Sequence, residues 1–277
     1  MAITAQDVAT LRKRTGAGIM DCKNALNASG GDFEQAIDLL RKKGQKISAD
    51  RLARNASEGA VFACTNSDHT EAFLLVLNCE TDFVAKNALF LELGTSILES
   101  AVAYKPASIE ALQCLPLKKE TVQEAVIASV GTIGEKITIS IYERLQGEIA
   151  VSYIHTGNSL GVLVLLEGAQ GENVIAAGRD VAMQIAAMNP VALDTDQIDQ
   201  SIVAREMAII QEQVIGEGYT VDKAEKIIQG RLHKFFKENT LLQQPFVKNN
   251  KLTVAQYLQS IAPALTVTAF RRISVGT

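Results

Sequence analysis

Ala72-Phe73-Leu74-Leu75-Val76-Leu77, followed by Glu80-Thr81-Asp82-Phe83-Val84-Ala85-Lys86-Asn87, is the stretch from which the rest of the chain is read. Six consecutive apolar residues predict a strand buried on both faces. The segment Ala88 to Val102 has helical apolar periodicity, so the octapeptide between them is a strand-to-helix corner. Thr81 or Asp82 can cap that helix, because a short side-chain oxygen accepts from free N–H groups in the first turn. Phe83 then has two fates: it folds back onto the core, or it stands out from the corner. The residues alone leave both open.

Working toward the N-terminus, residues 1–45 read as three short helices. Thr4 opens a capping box with Asp7, and Ile3 and Val8 hold the positions of a hydrophobic staple. The first helix buries Val8 and Leu11 and stops near Gly16. A second carries Ile19, Cys22 and Leu26 at helical spacing and ends at Gly30-Gly31. A third, capped by Asp32 with Gln35, buries Phe33, Ile37 and Leu40, and Gly44 is expected to end it. Ile19 and Met20 are adjacent, so they cannot both point into one helical core stripe. Residues 46–58, with Lys46, Arg51 and Arg54, are expected to form a solvated helical linker that allows hinge motion.

Toward the C-terminus, Val61–Cys64 and Phe73–Leu77 form a hairpin across Asn66-Ser67-Asp68, and the helix after Phe83 ends at Lys105-Pro106. Residues 108–133 read as two helical pieces broken at Pro116. Strands are expected at Ile137–Tyr142, Ile149–His155 and Gly161–Leu166, with a helix from Val174 to Met188. Gly59-Ala-Val-Phe-Ala-Cys with Leu74-Leu-Val-Leu parallels Gly147-Glu-Ile-Ala-Val-Ser with Val162-Leu-Val-Leu, so the core reads as two similar α+β units. The predicted division is 59–133 for the first and 134–277 for the second. Into the second is set a helical hairpin over 196–238, turning at Gly216-Glu217-Gly218-Tyr219. Its seam would be Ile198, Ile202, Met207, Ile210 and Val214 against Ala224, Ile227, Ile228, Leu232 and Phe235. A short helix, Val254–Ile261, and a last strand, Leu265–Val275, close the chain.

Composition narrows the function. The chain has 277 residues, 47% of them hydrophobic, enough for several small cores, and a net charge of −4 that argues against a nonspecific nucleic-acid binder. Cys22, Cys64, Cys79 and Cys114 make no Cys-x-x-Cys, and with His69, His155 and His233 they offer little to a metal. There is no Gly-x-x-x-x-Gly-Lys-Ser/Thr loop, nucleophile elbow or His-Glu-x-x-His. No membrane-spanning or targeting stretch is read. The expectation is a cytoplasmic protein that is not an enzyme and carries no cofactor.

Glu80 to Asn87 resembles a signature of the bacterial translation elongation factor Ts family. A second run, Leu11-Arg12-Lys13-Arg14-Thr15-Gly16-Ala17-Gly18-Ile19-Met20-Asp21-Cys22-Lys23-Asn24-Ala25-Leu26, is similar to another. The resemblance implies an α+β fold: an N-terminal ubiquitin-associated-like unit, a duplicated sheet-and-helix core and an inserted helical hairpin. It implies guanine-nucleotide exchange on elongation factor Tu. Thr81, Asp82, Phe83 and Val84 would disturb the partner's Mg²⁺ site, and Arg12, Ile19, Met20, Lys23 and His155 would make further contacts. The hairpin would help bind the partner, and in some members it self-associates. Many members continue past the final Val-Gly, where this sequence reads Gly276-Thr277. Gln184 stands where the family often has a histidine. Two other classes remain in view: an adaptor whose three-helix unit binds ubiquitin-like or peptide partners, and a small enzyme using its thiols.

Overall fold

The computed structural model describes residues 3–217, 219 and 221–276. Helix α1 (Ala5–Thr15) opens with the expected box: the Asp7 carboxylate takes the Thr4 N–H at 2.9 Å, and the Thr4 hydroxyl accepts from the Asp7 N–H at 3.2 Å. Gly16, at φ 70°, closes it. With α2 (Ile19–Ala28) and α3 (Phe33–Asp50) it surrounds a small core of Val8, Leu11, Cys22, Ala25, Leu26 and Ala36, against which Ile3, Phe33, Ile37 and Leu40 pack.

The expected stop at Gly44 does not occur. Helix α3 runs on to Asp50, because Gly44 lies buried where α3 crosses α7 (Val122–Ile133). Glycine costs a helix about 1 kcal/mol, which helix packing outweighs. Residues 46–50, expected within a solvated linker, are therefore the end of α3, and Ile47 packs against the core beyond.

Strands β1 (Glu58–Thr65) and β2 (Glu71–Cys79) form the predicted antiparallel hairpin, with Val61 opposite Val76. All nine residues of β2 are buried. Phe73, Leu75 and Leu77 meet α5 (Ala88–Tyr104) and α7 through Phe90, Ile97, Val122 and Val130. Ala72, Leu74 and Val76 face the other way, onto the second sheet. That sheet has the order β6 (Ile149–Ile154), β7 (Leu160–Glu167), β10 (Thr266–Ser274). Val162, Val164 and Leu166 of β7 pack on α8 (Glu172–Met188), while Leu163 and Leu165 join Leu74 and Val76 between the sheets. The order is helix, sheet, sheet, helix.

Strand β5 (Thr138–Gln146) departs from expectation. A division at 133/134 groups it with the second unit, yet it pairs with the free edge of β2, Leu75 opposite Tyr142. A strand buried on both faces cannot leave one edge of its backbone unpaired, and β5 supplies the partner. Each sheet thus places the second strand of a hairpin at its centre and a later strand on its far side.

Between α5 and α7, α6 (Ile109–Gln113) is followed by a two-residue ladder of β3 (Pro116–Leu117) with β4 (Glu120–Thr121), so Pro116 lies in a short strand. The long hairpin begins later than Asp196: Thr195–Gln197 is a 3₁₀ turn, and α9 (Gln200–Gly216) is capped by Asp199. It packs on α10 (Val221–Asn239) through Ile210, Val214 and Leu232, flanked by Met207, Ile227, Ile228 and Phe235. Ile198 is buried ahead of the helix, and Ile202 is exposed rather than in the seam. Gly218 of the expected turn and Thr277 lie outside the described residues. A short hairpin, β8 (Pro245–Phe246) with β9 (Asn249–Thr253), and α11 (Val254–Ile261) lead into β10. No helix of the described residues is long and apolar enough to cross a membrane.

Candidate functional site

The corner after β2 settles the fate of Phe83. Thr81 is extended, and its hydroxyl accepts from the Val84 N–H, but it caps only the single turn α4 (Asp82–Ala85) and not the long helix expected. Helix α5 is capped by Asn87, whose Oδ1 accepts from the Leu89 N–H at 2.9 Å. Phe83 does not fold back onto the core; it is 83% exposed. The inward apolar residues are Val84 and Ala85, which pack against the first core. Asp82 bonds Lys86 at 2.8 Å on the surface, and that bond chiefly holds its carboxyl below the usual range.

Two carboxylates secure this corner from behind: Glu80, which opens the octapeptide but is given no role there, and Glu135, which the sequence does not single out. Glu135 Oε2 accepts the N–H groups of Glu80 and Thr81, both at 3.0 Å, and its Oε1 accepts the Thr81 hydroxyl at 2.6 Å. In return Glu80 Oε1 accepts the Lys136 N–H at 2.6 Å, and Glu80 draws Arg51 at 3.3 Å and Arg54 at 3.1 Å. The Lys136 N–H bond is the largest influence holding the Glu80 carboxyl low; the two arginines add to it, and burial opposes. Lys136 Nζ donates to the carbonyls of Leu52 and Arg54 at 2.7 and 2.8 Å. The segment after α3, the corner and the end of α7 are thereby tied together. Cys79 Sγ sits beneath, 3.1 Å from the Thr81 carbonyl, its thiol pushed up to about 12 by burial.

The other expected residues lie in two further places. Arg12 and Lys23 are exposed on α1 and α2, and Ile19 and Met20 are 56% and 62% exposed at the first turn of α2. Helical spacing suggested Ile19 for the core; Cys22, Ala25 and Leu26 fill it instead. His155 is exposed just past β6, its Nδ1 3.0 Å from the Tyr153 hydroxyl. It borders a cleft of about 440 Å³ with Met183, Ala187, Val247 and the Lys248–Asp180 ion pair.

Gln184 lies on that cleft too, 1% exposed. Its amide donates to Gln244 Oε1 at 3.0 Å and the Pro245 carbonyl at 3.2 Å, and accepts the Val247 N–H at 2.8 Å. It is a structural residue, pinning the β8 strand to α8. Among the described residues no three His, Cys, Asp or Glu side chains gather as a metal site. The arrangement offers an exposed aromatic on a braced corner and apolar residues at a helix start, which suit contact with another macromolecule.

The sequence matches the family model described as Elongation factor TS over residues 80–277. It is 55% identical to Elongation factor Ts of Amoebophilus asiaticus over 276 residues, covering the full length of both. Identity is 51% to the protein of the same name from Cytophaga hutchinsonii, over 99% of each chain. It is 46% to that of Porphyromonas gingivalis, over 100% of this chain and 99% of the other.

Proposed function

The chain belongs to the elongation factor Ts family, the nucleotide exchange factors of translation elongation, and from that premise we propose how it acts on elongation factor Tu. It binds the GDP-bound partner and inserts Phe83 between the partner's helices. That insertion disturbs the Mg²⁺ site. Bound GDP depends on Mg²⁺ to offset the charge of its diphosphate, so displacing the elements that position the ion releases the nucleotide. No catalytic group is required. An exchange factor that binds the nucleotide-free partner more tightly weakens nucleotide binding by the same factor. An acceleration of about four orders of magnitude corresponds to roughly 5.5 kcal/mol.

One observation carries this reading. A phenylalanine is 83% exposed on a corner whose cap is supplied by Thr81 and whose apolar anchor is Val84. Local folding gives Phe83 nothing to do, whereas a buried aromatic anchor is a common centre of binding energy. Thr81 and Val84 orient it, and Asp82 lies beside it as a polar contact. Arg12, Ile19, Met20 and Lys23 form a second contact on the partner's GTPase domain, and His155 a third.

On the same reading α1–α3 is a ubiquitin-associated-like unit, the two sheets with their covering helices are a duplicated core, and the site of action is the cytoplasm. Stopped-flow release of a fluorescent GDP analogue from elongation factor Tu tests it. Phe83→Ala is expected to slow stimulated release by about thirtyfold, the loss of one anchor residue, with an unchanged thermal midpoint. A rate equal to that of the parent protein removes the wedge.

A further inference from the structure

We propose that Glu135 is a positioning residue for exchange, setting the direction in which Phe83 leaves the surface; this rests on the reading of Phe83 given above. Helix α4 is a single turn with no fully buried residue. One turn is not stable by itself, since nucleating a helix fixes several dihedrals for one hydrogen bond. Half-buried Val84 and Ala85 keep the corner against the core, but apolar contact is non-directional and does not by itself fix rotation.

Polar contacts do. Both oxygens of Glu135 are committed to two successive residues of the corner, and bonds to a carboxylate are stronger than neutral ones. The Thr81 hydroxyl gives its proton to Glu135, so its lone pairs are left to receive the Val84 N–H. The carboxylate therefore dictates the polarity of the cap as well as its place. Its own footing is firm. Gly134, at φ 85°, ends α7, and Lys136 beside it is held by Glu80 through its N–H and by two carbonyls through its ammonium. Phe83 follows two residues after this clamp, and the other bonds of the turn, from the Ala85 N–H to the Thr81 carbonyl and from Lys86 to Asp82, are local to it.

A double-mutant cycle on the full chain tests the assignment, read as the GDP-analogue release rate from elongation factor Tu at saturating exchange factor. Glu135→Ala is expected to slow release about tenfold, the loss of charge-assisted bonds, with the half-saturating concentration changed less than about twofold. In a Phe83→Ala background the same change should slow release no further. Glu135→Gln, which keeps an acceptor for the two N–H groups, should recover most of the rate.

In the free protein, hydrogen exchange over residues 80–84 should quicken in Glu135→Ala while β2 stays protected. Equal slowing with and without Phe83, or a parental rate in Glu135→Ala, overturns the assignment. If Phe83→Ala alone releases nucleotide at the parental rate, the wedge itself fails, and the single variant shows it without reference to Glu135. Should Glu135→Ala not fold, Glu135→Asp, whose shorter side chain cannot reach all three donors at once, carries the same cycle, and additive slowing there has the same meaning.

Discussion

Gly131 and Gly44 meet at the crossing of α7 and α3 with no side chain between them, and the contact is lopsided. A Cβ on Gly131 would lie 2.9 Å from the Gly44 Cα, too close without moving backbone. A Cβ on Gly44 would come no nearer than 3.5 Å to the Ile127 carbonyl, an ordinary contact. Gly131→Ala should therefore lower stability by about 1–3 kcal/mol, the range of overpacking. Gly44→Ala should raise it by roughly 0.5–1 kcal/mol through helix propensity. Urea unfolding midpoints of the two variants check the opposite signs.

Glu71 gives the fold a defined acid sensitivity. It is 2% exposed at the start of β2, paired with Lys105 and with Arg144, whose Nε is 3.0 Å away. The Lys105 bond first, then Arg144, hold its carboxyl below the ordinary 4.5, against the opposing effect of burial. A depressed folded pKa stabilises above the unfolded value and loses that contribution as pH falls through the folded one. Stability should be flat in this respect above pH 4.5 and decline below it. Glu71→Gln should cost about 2 kcal/mol at pH 7, reduced from a fully buried pair because both cations reach solvent. It should also flatten the acid decline. Unfolding midpoints from pH 7 to pH 3 measure both effects.

Gln184 serves three groups at once, so the identity of its replacement matters. Gln184→Leu leaves the Val247 N–H, the Gln244 side-chain oxygen and the Pro245 carbonyl without their partner. The cost should be about 2–6 kcal/mol, since each stranded buried polar group costs about 1–3 and the Val247 N–H, on an exposed residue, can turn to water. A neutral histidine offers one donor and one acceptor, so Gln184→His should cost less than half as much. Thermal unfolding orders the pair, and equal losses would refute the hydrogen-bonding account.

The thiols should be spectators. Burial pushes Cys64 up to about 11 and Cys79 up to about 12, and Cys22 is buried, whereas Cys114 is exposed. The thiolate is the reactive species. An aromatic disulfide reagent at pH 8 should label one thiol promptly and the other three on unfolding, leaving nucleotide release unchanged. Inhibition that tracks labelling would return the thiol enzyme to consideration.

Much of this was legible in the sequence because it is local or periodic. The capping box at Thr4, the buried run of β2 and the strand-to-helix corner at Thr81 each follow from neighbouring residues. What escaped is non-local. Glu135 lies 54 positions from Thr81 in a polar turn, and nothing in its neighbours marks the residue it will hold. Gly44 reads as a stop because helices often end at glycine; only the arrival of Gly131 gives it another purpose. Strand β5 joined the first sheet for a reason lying in β2, some sixty residues earlier, where no periodicity within β5 could reveal it. Phe83 stayed ambiguous for the opposite reason: its exposure depends on Val84 taking the inward place beside it.

Leu74, Val76, Leu163 and Leu165 form one apolar wall common to both sheets, and this bears on how the chain must be made. A ribosome delivers β1 and β2 long before β7, and β10 closes the second sheet only at Ser274. Until then the nascent chain carries a greasy face with no cover, the kind of surface that chaperones hold. Finished, the stack is expected to melt as a single cooperative block, and cutting the gene between β5 and β6 should leave neither half folded.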